Sequence, residues 1–267
     1  MRILANLFPD GKKTALTMSY DDGCDFDKRL VEIFNKNGIK GTFHLNSMNL
    51  ANNKAGCVHF DEIADVYKGH EISCHTFTHP HPTCVPDTVL VSEILEDRRV
   101  LEKACGYTVR GMSYPYGDYN DHTIGIFRSC GMLYSRTTVA TGNFNLPEDF
   151  MKWHPTCHHR PEMEKLFDTM RAQSNRWTRH AVMYVWGHSY EFNNDNNWEL
   201  MENFCAYAAG KEDVWYATNI EIYDYIMASR ALMVGMDGKT VYNPSCLPVW
   251  VSADGAPLKI LPGENIL

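Results

Sequence analysis

Short β-prone runs alternate with longer helix-prone segments along most of this chain, and that alternation most constrains its fold. The β-prone runs fall at residues 14–19, 42–45, 71–74, 111–114, 132–136, 181–186 and 214–217. Helix-prone segments separate and follow them at 26–37, 61–67, 86–105, 121–130, 162–175, 197–209 and 221–228. Within the third of these, Val89, Leu90, Ile94, Leu95 and Leu101 recur near helical spacing with charges between them. Gly38, Gly106 and Gly131 each follow a helical segment, where a left-handed cap is often needed. Strands joined through helices pair in parallel, so the fold class is α/β, with a sheet that is either open or closed into a barrel. In both forms function collects at the C-terminal ends of the strands. Asp21 and Asp22 follow the first strand, His75 the third, Tyr116 the fourth and His188 a late one, so residues distant in sequence converge on one mouth.

From Leu232 the pattern changes. Turn signals at Asp237-Gly238, Asn243-Pro244 and Asp254-Gly255 separate short apolar runs, which predicts a few short β-strands. The expected organisation is a catalytic barrel over residues 1–231 with a small β-rich extension, 232–267, packed on it. At 267 residues and 44% hydrophobic content the chain can bury one large core. A net charge of −8 argues against general binding to nucleic acid or to an anionic membrane. The nine cysteines are scattered without a C-x-x-C pair and read as reduced thiols, mostly buried. The first ten residues carry too short an apolar run for a signal peptide, and no stretch reaches the roughly 18 apolar residues of a membrane span. Read at face value, the chain is cytoplasmic and acts without a membrane or nucleic-acid partner. Its oligomeric state is left open.

Two features carry chemistry. In Ser19-Tyr20-Asp21-Asp22-Gly23, two carboxylates end an apolar strand, where they need a metal or a basic residue to compensate their charge. The bland alternative is a solvated Asp-Gly turn. In His75-Thr76-Phe77-Thr78-His79, two histidines stand four apart, the spacing of many zinc sites. Against this, a chain with twelve histidines can show such spacing by chance, and His154, His158 and His159 also cluster. Asp22 added to His75 and His79 makes a three-ligand set with room for water, as catalytic zinc requires. A structural zinc would need a fourth ligand, for which Cys24 or Cys74 is near in sequence.

With two further motifs the pattern resembles the polysaccharide deacetylase family, also called carbohydrate esterase family four. Tyr20-Asp21-Asp22-Gly23 matches its first motif, His75-Thr76-Phe77-Thr78-His79 its second, Pro115-Tyr116-Gly117 the end of its third, and Val185-Trp186-Gly187-His188 its last, with Val in place of Leu. The resemblance implies a distorted (β/α) barrel of about seven parallel strands. It also implies one divalent metal, zinc first and cobalt or nickel as alternatives, held by Asp22, His75 and His79. By the same resemblance Asp21 is the base that deprotonates the attacking water, the Tyr116 backbone N–H supports the oxyanion, and His188 protonates the departing amine. Thr76 is a candidate brace for the histidine loop. The implied reaction removes an N-acetyl group from an amino sugar or oligosaccharide. The alternatives are hydrolysis of another acyl bond (an O-acetyl ester or a small amide or ureide), and a catalytically silent carbohydrate-binding barrel.

The chain departs from the family at two points. Ser113 stands where the third motif has arginine, and Arg136, at the end of the next strand, is the preferred substitute over Arg110. The family's Asp-rich fourth motif is not evident, although Asp149 and Trp153 lie in the corresponding region, so no residue is assigned to tune His188. Trp186, Tyr114 and Pro115 are the expected substrate-binding residues. Aromatic rings stack on sugar faces, but they also fill cores.

Overall fold

The computed structural model describes residues 2–173, 179–236 and 238–267. In chain order the elements are β1 (Ile3–Leu4), β2 (Thr14–Asp21), α1 (Asp27–Lys36), β3 (Gly41–Leu45), α2 (Ser47–Ala51), α3 (Ile63–Val66), β4 (Glu71–Cys74), α4 (Asp87–Cys105), β5 (Gly111–Ser113), α5 (Asp121–Ser129), β6 (Tyr134–Arg136) and β7 (Cys157–His158). They continue as α6 (Met163–Gln173), β8 (Ala181–Gly187), α7 (Ser189–Asn194), α8 (Trp198–Ala208), β9 (Val214–Tyr216), α9 (Asn219–Arg230) and five strands, β10 (Met233–Val234), β11 (Thr240–Asn243), β12 (Val249–Ala253), β13 (Ala256–Ile260) and β14 (Gly263–Ile266). Every expected strand and helix has a counterpart. The last two residues of the helix expected at 162–175 lie outside the described residues, as does Asp237 of the expected Asp237-Gly238 turn.

The parallel sheet runs β6-β5-β4-β3-β2-β8-β7, with β9 beside the first residues of β2. One extended segment closes it. Trp153 N–H donates to Ser135 O at 3.1 Å, and further along Thr156 N–H donates to Tyr184 O at 2.8 Å. Residues 153–159 thus bridge the β6 edge to β8, giving the distorted (β/α) barrel, with two-residue β7 as an eighth strand beyond the seven expected.

Side-chain alternation divides the polar residues from the apolar ones. On β2, Leu16, Met18 and Tyr20 face the main core beneath the helices. Thr17, Ser19 and Asp21 face the lumen, where Thr17 Oγ1 donates to Asn219 Oδ1 at 2.8 Å and Ser19 Oγ lies 2.9 Å from His44 Nε2. On β5 the same rule sends Ser113 inward and Tyr114, just beyond it, outward. The lower lumen is filled by a second cluster that includes Phe8, Trp153, Val182 and Tyr184 and continues to α9.

Helix α4 does more than cover the sheet. Asp97, fully buried, accepts the backbone N–H of Ser47 at 3.0 Å and that of His75 at 2.9 Å. One turn earlier, Glu93 accepts Thr78 N–H at 2.7 Å and its hydroxyl at 2.6 Å. The histidine loop is therefore braced by Thr78 rather than by Thr76, whose buried hydroxyl has no hydrogen-bond partner among the described residues. An Asp97→Ala substitution orphans two N–H groups and is expected to lower unfolding stability by about 2–4 kcal/mol, measurable by denaturant titration.

The C-terminal strands form two small antiparallel sheets, β10-β11-β14 and β1-β12-β13. Strand β1 comes from the other end of the chain. The β12–β13 hairpin turns on Asp254 (φ 48°) and Gly255 (φ 90°), a backbone that Asp-Gly readily adopts. Trp250 N–H donates to Tyr225 Oη at 2.9 Å and so ties β12 to α9. Among the described residues no helix is long and apolar enough to cross a membrane.

Candidate active site

Asp22, His75 and His79 meet where β2 and β4 end. His75 Nε2 lies 3.1 Å from His79 Nε2 and 3.7 Å from Asp22 Oδ1, and His79 Nε2 lies 3.9 Å from Asp22 Oδ1. A triangle with these sides has a circumradius of about 2.1 Å, the length of a bond from zinc to nitrogen or oxygen. The donors are also in the right state. His75 Nδ1 is 2.7 Å from Ser113 Oγ and 3.0 Å from Ser113 O. The carbonyl can only accept and the hydroxyl gives its proton to Asp21, so the Nδ1 proton points to Ser113 and Nε2 presents a lone pair. Burial and the neighbouring His75 imidazole push His79 down to about 4, which keeps it neutral at pH 7. No cysteine joins the set among the described residues. Cys74 is buried in the core, and Cys24 Sγ lies 3.0 Å from Ser189 Oγ. Three donors with an open side suit a divalent ion of catalytic type rather than a closed structural zinc.

The backbone around these donors is held in an unusual conformation. Asp22 (φ 81°), Thr76 (φ 63°), His79 (φ 60°) and Tyr116 (φ 59°) all occupy the left-handed region. For β-branched Thr76 this is a genuine outlier. Such strain persists where surrounding contacts over-determine the chain, and it concentrates at functional sites.

Asp21 lies beneath the triangle, 3% exposed, with its Oδ2 3.8 Å from His75 Nε2. Arg136, fully buried on β6, donates Nη2 to the same oxygen, and Ser113 Oγ donates to Oδ1 at 3.1 Å. Burial alone would raise this carboxyl. The Arg136 guanidinium, with His75, His44 and His188, outweighs burial and holds it well below the usual carboxylate range. The guanidinium also stacks over Trp186, 4.4 Å from the ring centroid. Arg110 lies elsewhere, paired with Asp224 at 2.7 Å.

His188 ends β8 on the other side of the opening. Its Nδ1 is 3.4 Å from Glu191 Oε1, an ion-pair contact rather than a well-aligned hydrogen bond. Glu191 Oε2 in turn lies 3.0 Å from both His158 Nε2 and His159 Nε2. Burial disfavours a charged His188, but Glu191, Asp21 and Asp22 outweigh it and raise the imidazole above its ordinary value. The three imidazoles drive Glu191 far below the carboxylate range despite its partial burial. Gly187 makes this packing feasible, because a Cβ there would meet His159 Nδ1 at 2.1 Å.

Glu191 was not picked out from the sequence, whereas Ser113 was noted only as standing in place of an arginine and His158 only as one of a cluster of histidines. The available signal for Glu191 was its position three residues after His188, at the start of a helix, where its carboxylate also accepts His188 N–H at 3.2 Å. Asp149 and Trp153 do not take that place. Asp149 caps a short turn and pairs with Arg128, while Trp153 is buried in the lower lumen.

Of the expected substrate-binding residues, Trp186 is half-buried at the opening between His158 and His188. Tyr114 and Pro115 do not line the opening. Tyr114 is 1% exposed, stacks on Tyr119 and donates its hydroxyl to Met151 O at 2.8 Å, as its outward position on the strand requires. Pro115 is buried in the turn that lifts Tyr116 to the rim. Tyr116 is 59% exposed and stacks on His81 with ring centroids 3.9 Å apart.

An α/β barrel with its polar constellation at the C-terminal ends of the strands belongs to the class that builds active sites there. Comparison with known proteins narrows the class. A family model described as Polysaccharide deacetylase matches residues 9–135. Chitin deacetylase 1 of Cryptococcus neoformans is 26% identical over 144 residues, 53% of this chain and 30% of that protein. The chain spans well under half the length of each of four curated relatives that it matches. Among solved structures, a candidate polysaccharide deacetylase from Mycobacterium smegmatis superposes with a TM-score of 0.62 at 16% identity, over 84% of this chain and 93% of that one. Puue allantoinase superposes at 0.60 and 14% identity, over 81% and 91%. Over residues 9–135, just under half of its length, the chain is similar to the polysaccharide deacetylase family.

Proposed function

We propose that this chain is a divalent-metal-dependent hydrolase that removes the acetyl group from an N-acetylated amino sugar or oligosaccharide. The observation that carries the reading is the meeting, at one mouth, of the Asp22-His75-His79 triangle with an ionised, arginine-anchored Asp21 on one side and His188 on the other. A bound zinc-type ion would acidify water and polarise the amide carbonyl. The chain supplies the rest. Asp21, ionised at any physiological pH, takes the proton from the attacking water. The Tyr116 backbone N–H, presented at the rim by the left-handed turn, serves as an oxyanion donor. His188, whose proton is held more tightly beside Glu191, Asp21 and Asp22, gives that proton to the nitrogen as the C–N bond breaks, because an unprotonated amine leaves poorly. Trp186 offers an aromatic face for a sugar ring.

The reading is tested by acetate release from a panel of N-acetyl and O-acetyl sugars, with zinc, cobalt and nickel supplied in turn. Release from N-acetyl sugars alone is the expected result. Release from esters alone moves the assignment to another acyl bond. Silence across the panel, in protein that carries metal, points to a small amide or ureide substrate or to a sugar-binding barrel.

The role given to Glu191 has its own signature. In Glu191→Gln, burial is opposed only by Asp21 and Asp22, so His188 loses its proton at lower pH than in the parent. The alkaline limb of kcat is expected to move to lower pH, with turnover above neutrality reduced by roughly tenfold. An unmoved limb in the pH–rate profile would remove Glu191 from the mechanism.

A further inference from the structure

Beyond the mouth, residues 23–25 leave β2 and run antiparallel to residues 56–58, in the segment after α2. Two backbone hydrogen bonds frame the contact, from Asp25 N–H to Gly56 O and from Val58 N–H to Gly23 O, each 3.0 Å long. Between them Cys24 and Cys57 are directly opposed. Hydrogen bonds that flank a pair without joining it mark the non-hydrogen-bonded position of an antiparallel ladder. There both side chains leave on the same face and the Cα atoms lie about 4.5 Å apart. A disulfide spans Cα separations of about 4.4–6.8 Å. Both residues are free thiols and partly exposed. Among the described residues, no other two cysteines oppose each other across a bridge.

The geometry points to Cys24 and Cys57 as an oxidisable dithiol whose disulfide staples the loop carrying Asp22 to the segment that follows α2. The thiol of Cys24 now contacts Ser189 Oγ at 3.0 Å, a contact that closure exchanges for the bond to the Cys57 sulfur. What the bond would hold is a turn of two left-handed residues, Asp22 (φ 81°) and Gly23 (φ 67°), immediately before Cys24.

The oxidant is a low-molecular-weight disulfide. One protein thiol loses its proton and attacks a sulfur of the oxidant, which releases one small thiolate and leaves a mixed disulfide. The second protein thiolate attacks the protein sulfur of that adduct and releases the other small thiolate. One S–S bond forms and one breaks. The protein gives up two electrons and two protons, and the oxidant becomes two thiols. Both thiols are only partly exposed, so exchange with the small disulfide is slow.

The test uses the full chain with oxidised glutathione for several hours at pH 8.5, followed by alkylation and digestion without reductant. The expected products are a Cys24–Cys57 cross-linked peptide and a melting temperature higher by roughly 5 °C. Dithiothreitol should reverse both, and Cys57→Ser should show neither. Recovery of Cys24 as an alkylated thiol or a stable glutathione adduct would overturn the assignment. So would a Cys24 disulfide to any other cysteine, or the same thermal shift in Cys57→Ser. None of these readouts depends on metal or turnover, so their outcome is separate from that of the deacetylase proposal.

Discussion

Replacing Asp21 with asparagine is expected to lower kcat/KM for acetate release by about a thousandfold while leaving metal content unchanged. The side chain keeps its size, and its amide oxygen can still accept from Arg136 or Ser113. What disappears is a carboxylate that is ionised at every working pH and lies 3.8 Å from His75 Nε2. A positioned base contributes about 10²–10⁴-fold, and a thousandfold loss corresponds to about 4 kcal/mol of transition-state stabilisation. Asp22 is the contrasting position. Its Oδ1 forms one corner of the donor triangle, so Asp22→Ala should abolish metal binding along with turnover. Elemental analysis and steady-state kinetics on the two variants separate the roles. An Asp21→Asn protein that keeps more than a tenth of parental activity would leave Asp21 without its assigned part. A loss of metal from that variant would make it a ligand instead.

Much of this arrangement was legible in the sequence, because strand ends follow from period and turn chemistry. Once β2 ends at Asp21, residues after the other strands must share its mouth. Arg136 was found for the same reason, since a strand-terminal arginine on the lumen side has few places to go except a buried carboxylate. Tyr114 shows where that reasoning needed one more step. Ser113 and Tyr114 are neighbours on one strand and must face opposite ways, so an inward Ser113 sends the tyrosine into the core, where it contacts Phe127 and Tyr119. Glu191 and His158 were less accessible. Their meeting with His188 depends on how tightly residues 153–159 close the barrel against β8, and no local pattern encodes that closure. The oppositions of Cys24 to Cys57 and of Asp97 to two loop N–H groups depend likewise on contacts distant in sequence. The left-handed Thr76 runs against local preference, as functional loops do when tertiary contacts dominate.

Arg136→Met is the second substitution with a large expected effect, and it acts first on folding. The guanidinium and the Asp21 carboxylate are both removed from water, so the pair is stable only as a pair. Removing one partner strands the other, at a cost of about 3–5 kcal/mol at neutral pH. The pH dependence follows from linkage. In the parent, Asp21 has a depressed pKa, and its contribution persists from neutrality down through the ordinary carboxylate range. In the variant, burial is no longer opposed by the arginine, and the folded-state pKa moves above the unfolded value. The folded variant then binds the proton more tightly than the unfolded chain, so its stability falls as pH rises from the unfolded pKa through the new folded one. The gap between parent and variant should therefore be widest at pH 8 and narrow towards pH 4.5. Adding Asp21→Asn should recover part of the loss, because the stranded charge is gone, so the two substitutions combine with less than additive cost. Arg136 also covers Trp186, and lost packing alone would destabilise the variant by an amount independent of pH. A stability gap that is flat between pH 4.5 and 8, with no recovery in the double variant, would assign Arg136 to packing and leave the acidity of Asp21 without its cause.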